Sequence, residues 1–218
     1  MVQSVIFDLD GTILNTLDDL ADAGNHALAQ MGYSVHSTEE YRYFVGNGIP
    51  KLIERIVPEG TPREMYEKTY EAFCSYYNGH MYDKTRPYDG MIEMLSGLHK
   101  NGIKLAVVTN KAHVFACEMV KNYYGDIFDA VFGSIEGVPK KPDPYLVNKA
   151  LQELRCTPKN AVYVGDSSVD MQTALNAGIF SCGVLWGFRE RDELLESGAK
   201  SLASDSSELE KIILARLR

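Results

Sequence analysis

Two carboxylates one residue apart, Asp8 and Asp10, follow the apolar run Val5-Ile6-Phe7 within the segment Asp8-Leu9-Asp10-Gly11-Thr12. A short apolar run that ends in acids reads as a buried strand delivering its last residues to a sheet edge. Unpaired charge beside a strand is costly, so such a pair implies that a cation or a reacting group meets it. Oxygen-only donors suit a hard cation, most simply Mg2+.

Those acids need a scaffold. Short apolar stretches at residues 2–7, 104–108, 130–132, 161–164 and 179–184 read as strands, alternating with amphipathic patterns at 90–101, 112–123, 144–154 and 168–177 that read as helices. Gly102, Gly125 and Gly178 stand where helices would stop. This alternation predicts an α/β fold, a Rossmann-like parallel sheet covered by helices on both faces. Ligands of such sheets bind beyond the carboxyl ends of the strands. Thr109 and Asn110, Lys141, and Asp166 each follow a strand candidate, so four separate segments bring acids, a hydroxyl and an amine to one edge.

Residues 15–82 break the rhythm with helical patterns at 16–31, 38–45, 49–57 and 62–77 and no strand. The expected organisation is a core of residues 1–14 and 83–218 carrying an inserted helical cap at 15–82. Gly46-Asn47-Gly48 lies between two of these helices, where glycines allow close backbone approach and Asn47 can hydrogen-bond a small polar group. Lys51 and Arg55, one turn apart, could meet a second anionic group. The tyrosines at 66, 70, 76 and 77 have the spacing of packing between helices.

A formal charge of −8 with no Lys/Arg cluster argues against nucleic acid as a partner. No apolar stretch approaches the roughly 20 residues needed to span a bilayer, so no membrane partner is expected and the default location is cytoplasmic. Cys74, Cys117, Cys156 and Cys182 are widely separated and read as reduced thiols rather than a zinc site.

The ordered set Asp-x-Asp-Gly-Thr, Thr-Asn, Lys-Pro-x-Pro and Gly-Asp-Ser-x-x-Asp resembles the haloacid dehalogenase-like phosphohydrolases across nearly the whole chain. The Val45-Gly46-Asn47-Gly48 loop and the Trp186-Gly187-Phe188-Arg189 segment are similar to those of phosphoglycolate phosphatases and related pyrophosphatases. The resemblance implies Asp8 as a nucleophile forming an aspartyl phosphate and Asp10 as the acid that protonates the leaving oxygen and later activates water. It also implies Mg2+ held by Asp8, Asp166 and the backbone carbonyl of Asp10, with Asp170 orienting Lys141 or a metal-bound water. Thr109 can donate its hydroxyl to a phosphoryl oxygen, the backbone N–H groups near Leu9, Asp10 and Asn110 can cradle the same group, and Lys141 offsets its charge. Asp170 also suits a plain helix N-terminus, and Arg189 a pairing with nearby acids.

The expected function is Mg2+-dependent hydrolysis of a small phosphorylated metabolite by a monomer or homodimer, with phosphoglycolate as first substrate. Pyrophosphate hydrolysis and sugar-phosphate mutase chemistry remain alternatives, since the motifs do not show what receives the phosphoryl group. A phospho-acceptor receiver protein has no use for a helical insert of this size, and carbon-attacking dehalogenation has no use for the metal-type acids.

Overall fold

The computed structural model describes residues 3–217, and within them the chain forms two compact units, residues 3–14 with 87–217, and residues 15–86. The first unit is built on β1 (Ser4–Phe7), β4 (Lys104–Ala112), β5 (Ala130–Ser134), β6 (Ala161–Gly165), β7 (Phe180–Val184) and β8 (Ser201–Ala203), all parallel in the order β5-β4-β1-β6-β7-β8. The helices of this unit are α5 (Met91–Lys100), α6 (His113–Tyr124), α7 (Tyr145–Glu153), α8 (Ser168–Asn176), α9 (Arg191–Glu196) and α10 (Ser206–Leu217). The chain passes to the second unit at β2 (Leu14–Asn15) and returns at β3 (Arg86–Pro87), two short strands that pair.

Strand β1 is central, in register with β4 on one side and β6 on the other. Its residues are fully buried because helices cover both faces, which is why the strand reads as an unbroken apolar run. One face packs Ile6, Ala106, Val108 and Tyr163 against Leu146, Val147 and Ala150 of α7 and Ala174 of α8. The strand order reverses at β1, so the crevice where such sheets bind ligands opens at the carboxyl end that carries Asp8.

Three departures from the sequence expectation have physical causes. Strand β4 runs to Ala112 rather than ending at residue 108, because its register with β5 slips between Val108 and Ala112 and an irregular stretch continues the ladder through polar residues. Strand β8 and helices α9 and α10 had no strong apolar signature; β8 has only three residues and extends the sheet at its edge. The first strand starts at Ser4, and Val2, where the expected strand began, lies outside the described residues. Gly102, Gly125 and Gly178 all take positive φ at helix ends, as expected from their positions, and Gly32 does the same after the chain's first helix.

The second unit consists of α1 (Leu17–Gln30), α2 (Thr38–Phe44), α3 (Ile49–Ile56) and α4 (Arg63–His80) around Leu28, Tyr41, Ile53, Phe73 and Tyr77. A capping box starts α2, with Ser37 and Glu40 each accepting the other's backbone N–H. The Tyr76 ring stacks between His26 and His80 at 4.1 Å from each, the packing role expected of these tyrosines. This unit reaches past residue 82 because buried Asp19 accepts the backbone N–H groups of Lys84 at 2.9 Å and Thr85 at 2.8 Å.

Helix α1 passes Tyr41 so closely at Gly24 that a Cβ there would lie 2.2 Å from the phenol oxygen and 2.7 Å from two ring carbons. Helix propensity alone favours alanine by about 1 kcal/mol, whereas overpacking costs about 1–3 kcal/mol. The steric cost outweighs the gain in propensity, so Gly24→Ala lowers the melting temperature, as thermal unfolding followed by circular dichroism will register; an increase would mean the Tyr41 ring moves aside freely.

Candidate active site

The first strand ends in Asp8, whose backbone N–H is bonded to Val164 O at 2.9 Å, so β6 fixes where its carboxylate emerges. The chain then turns tightly: Leu9 buries its side chain, and its carbonyl accepts from the N–H groups of Thr12, Ile13 and Leu14. Gly11 makes this turn possible with φ at +81°, and a Cβ on it would stand 2.3 Å from Asp166 Oδ2. A side chain at Gly11 is therefore excluded twice, by backbone conformation and by the acid beside it.

Asp8, Asp166 and Asp170 are buried, and one carboxylate oxygen from each lies within 4.8 Å of the others. Lys141 Nζ reaches between them, 2.9 Å from Asp8 Oδ1 and 2.7 Å from Asp170 Oδ1. The Asp8 contact is an ion pair without hydrogen-bond geometry, and Oδ1 remains a buried oxygen with no hydrogen-bond partner. Burial pushes the Asp8 carboxyl up to about 6, opposed by Lys141 and reinforced by Asp170. Burial likewise pushes Asp166 up to about 8, with the charges of Asp170 and Asp8 adding to it. Burial would lower the Lys141 ammonium, but Asp170 and Asp8 outweigh it and hold the amine protonated.

The two later acids differ in how fully they are used. Asp170 Oδ1 accepts from Lys141 at 2.7 Å and the Tyr163 hydroxyl at 3.2 Å, and Oδ2 accepts from the backbone N–H of Ser167 at 3.1 Å and its hydroxyl at 2.6 Å. Four donors fill the four lone-pair positions of a carboxylate. Asp170 thus caps α8 and holds Lys141 at once. Asp166 receives one donor on each oxygen, Thr12 Oγ1 at 3.1 Å and Phe188 N–H at 2.8 Å, and keeps two positions open. The Trp186-Gly187-Phe188 segment lies against this acid: Trp186 Nε1 donates to Thr12 O at 3.0 Å, and a Cβ at Gly187 would stand 2.2 Å from Asp166 Cβ.

Thr109, Asn110 and Lys111 sit in the irregular end of β4, all buried. The Asn110 side chain brackets the Lys141 backbone, accepting its N–H at 3.0 Å and donating to its carbonyl at 3.3 Å. Lys111 donates its backbone N–H to Thr109 Oγ1 at 3.2 Å and its ammonium to Asp10 Oδ1 at 3.0 Å. Asp8, Asp10, Thr109, Asn110, Lys141, Asp166 and Asp170 therefore share one rim of the first unit. Thr12, Lys111, Tyr163 and the Phe188 N–H join them without having been expected from the sequence. Lys111 lay beyond the apolar run that marks this strand in the sequence, in the irregular stretch where strand periodicity no longer assigns a face.

Gly46, Asn47 and Gly48 lie in the second unit. Arg55 is committed there, donating to Phe44 O at 2.7 Å and to Asn47 Oδ1 at 2.8 Å, and Lys51 pairs with Glu54 at 2.6 Å. The expectation that these two basic residues await an anion gives way to a local use of both. Arg189 pairs with Glu193 at 3.6 Å, as expected. His113 Nδ1 accepts the Gly133 N–H at 3.2 Å. All four cysteines are free thiols, and no helix of the described residues is long and apolar enough to cross a membrane.

A rim of acids, one bridging lysine and hydroxyl and amide donors at a strand-order switch is a setting for a phosphoryl group and a hard cation. Residues 5–184 match the family model of haloacid dehalogenase-like hydrolases. A phosphoglycolate phosphatase of Neisseria meningitidis is 36% identical over 203 residues, covering 91% of this chain and 86% of that protein. A candidate phosphoglycolate phosphatase of Lactobacillus delbrueckii subsp. bulgaricus superposes with a TM-score of 0.92 at 30% identity, over 97% of this chain and 98% of the other. CbbY of Rhodobacter sphaeroides, solved in complex with phosphate, gives a TM-score of 0.79 at 25% identity over 96% of each chain. With its α/β sheet, its acid-lined rim and these likenesses, the chain belongs to the haloacid dehalogenase-like hydrolases, as a phosphoric monoester hydrolase.

Proposed function

We propose that the protein hydrolyses small phosphate monoesters, with 2-phosphoglycolate as the first substrate, through an aspartyl phosphate on Asp8 and with Mg2+ bound at the acidic rim. The observation that carries the reading is the state of Asp8: a buried carboxylate at the end of β1 whose Oδ1 is paired with the Lys141 ammonium at 2.9 Å but filled by no hydrogen-bond donor. The phosphatase relative supports the substrate.

The donor set fits a divalent hard cation. Asp8, Asp10, Asp166 and Asp170 gather round the two buried ammoniums of Lys111 and Lys141, which leaves a negative excess equal to one such ion when all are charged. Asp8 and Asp166 would hold it with the Asp10 carbonyl, since both side chains keep open lone-pair positions and Asp170 has none. When bound, Mg2+ supplies charge neutralisation at the phosphoryl oxygens.

The chain's own residues do the rest. The Asp8 carboxylate attacks phosphorus as the ester P–O bond breaks, and the leaving oxygen takes a proton from Asp10. Water then attacks the aspartyl phosphate, Asp10 accepts its proton, and phosphate leaves with Asp8 restored. Thr109 donates a hydrogen bond from its hydroxyl to a phosphoryl oxygen, because the hydroxyl oxygen already accepts the Lys111 N–H and its hydrogen is left to point elsewhere. Lys141 stands beside the nucleophile, and backbone N–H groups near Leu9, Asp10 and Asn110 complete the cradle. Substrate selection is assigned to the helical unit through Gly46-Asn47-Gly48. Arg55 has only donors to give, so the Asn47 oxygen accepts from it and the side-chain NH2 carries the donors that a carboxylate or hydroxyl oxygen would need.

Phosphate release from 2-phosphoglycolate, pyrophosphate and p-nitrophenyl phosphate, with Mg2+ and with chelator, tests the reading. Turnover requires Mg2+ and is fastest on 2-phosphoglycolate; preference for pyrophosphate would replace the substrate, and a single long-lived phosphorylation would replace hydrolysis. Asp8→Asn keeps volume and fold and lowers kcat by about a thousandfold or more; retained turnover would overturn Asp8 as nucleophile.

The acids also set a pH response of the metal-free protein. A carboxyl whose pKa is higher folded than unfolded binds its proton more tightly in the fold. Its stabilisation is complete below the ordinary 3.8 and is lost as pH rises through about 6 for Asp8 and about 8 for Asp166. The melting temperature with chelator present therefore falls between about pH 4 and pH 8, and added Mg2+ raises it more at pH 8 than at pH 5. Calorimetric scans across this range check both signs.

A further inference from the structure

Lys111 is a buried cation in a position no motif assigned, and it touches two parts of the reaction machinery at once. Its backbone N–H fixes the Thr109 hydroxyl oxygen at 3.2 Å, and its ammonium meets Asp10 Oδ1 at 3.0 Å. The lysine side chain is 3% exposed and that of Asp10 12%, so this ion pair is shielded from solvent, unlike the helix-surface pairs elsewhere in the chain. Burying a long cation has to be offset by a specific partner, and here that partner is the residue read as the proton carrier.

Geometry explains why Asp10 needs such a partner. It lies just beyond the end of β1, in a turn anchored by Leu9 O and by the Gly11 N–H to Leu14 O bond at 2.9 Å. The backbone there is fixed, but a carboxylate on it can still rotate about its side-chain bonds. A proton donor displaced by about 1 Å from its acceptor loses much of its advantage. The irregular end of β4 supplies the restraint, because the register slip between Val108 and Ala112 leaves Thr109 and Lys111 both buried and bonded to each other.

We infer that Lys111 is the positioning residue of the proton-transfer step: by holding Asp10 Oδ1, it leaves Oδ2 as the oxygen that gives its proton to the departing alkoxide and takes one from the attacking water. The inference rests on the phosphatase reading. In the first transfer the Asp8–phosphorus bond forms, the ester P–O bond breaks, and its electron pair accepts the proton from Oδ2. In the second, water's oxygen bonds to phosphorus, its proton goes to Oδ2, and the Asp8–phosphorus bond breaks.

A positioning role leaves a signature that a structural one does not. Proton donation matters for a basic alkoxide and little for an acidic phenolate. The test compares kcat/KM, which reports the leaving-group step, for wild type and Lys111→Met on 2-phosphoglycolate, ethyl phosphate and p-nitrophenyl phosphate. Both alkyl esters are expected to lose roughly 10–100-fold while the aryl ester loses less than about threefold. Lys111→Gln, which keeps a neutral polar group in the same space, carries the same comparison should the methionine variant fail to fold. An equal loss on all three esters would overturn the assignment in favour of a packing role. A loss on 2-phosphoglycolate alone would overturn it in favour of direct contact with the substrate carboxylate. Wild-type protein that turns over none of the esters would remove the phosphatase reading and this inference with it, whereas wild-type turnover with an unchanged selectivity in both variants removes only the inference.

Discussion

Like charges packed into a small, nearly dry volume are the constraint on which the rest of this molecule depends. Asp8, Asp166 and Asp170 present oxygens within 4.8 Å of one another, and Asp10 lies two residues from the first of them. Mutual repulsion and lost hydration would neutralise such acids by protonation or disperse them, as the upward displacement of Asp8 and Asp166 registers. They stay together because the fold commits two ammoniums and a set of backbone and hydroxyl donors to them. Two carboxylates are then left with open lone-pair positions and unsatisfied charge, which is the chemistry a hard cation requires of its donors.

The parallel sheet suits this purpose. Strand β1 is paired along its whole length with β4 on one side and β6 on the other, so the point where its acids emerge is fixed by ladders that lie deep in the core. Beyond the ladders, side chains take over. Asn110 brackets the Lys141 backbone, so the β4 end positions the lysine that β5 and its loop bring near. Tyr163, in the middle of β6 and fully buried, spends its hydroxyl on Asp170 rather than leaving it unpaired. The glycines at 11 and 187 let backbone come against Asp166 where a methyl group would collide. Groups this interlocked act as a unit, so changes at two of them are expected to combine non-additively.

The sheet and the acids were legible in the sequence for different reasons. The sheet's strands announce themselves because burial on both faces demands unbroken apolar runs, and the acids because charge at the end of such a run has few explanations. What stayed hidden is what sequence does not encode locally. The Phe188 N–H to Asp166 is a backbone donor with no residue signature, and Tyr163 lies inside an apolar run with nothing in its neighbours to mark its hydroxyl. Lys111 was obscured because the apolar run stops at Val108, while the strand, sustained by its slip against β5, carries on through polar residues. Lys51 and Arg55 have the spacing of an anion site, yet spacing is blind to the Phe44 carbonyl and the Glu54 carboxylate that take them up. The edge strand β8 is too short for alternation to register.

The helical unit carries its own interlocked polar cluster, which fixes a loop rather than a group of acids. Within that unit, Arg55 fixes both the backbone before the Gly46-Asn47-Gly48 loop and the face that Asn47 presents. An amide whose oxygen is bound by a guanidinium still keeps one lone pair and two N–H donors, so the loop retains both kinds of hydrogen-bonding capacity while its backbone is held from Phe44. Truncating Arg55 would release the Phe44 carbonyl and the Asn47 side chain together, so this basic residue belongs to the loop's architecture rather than to its surface charge.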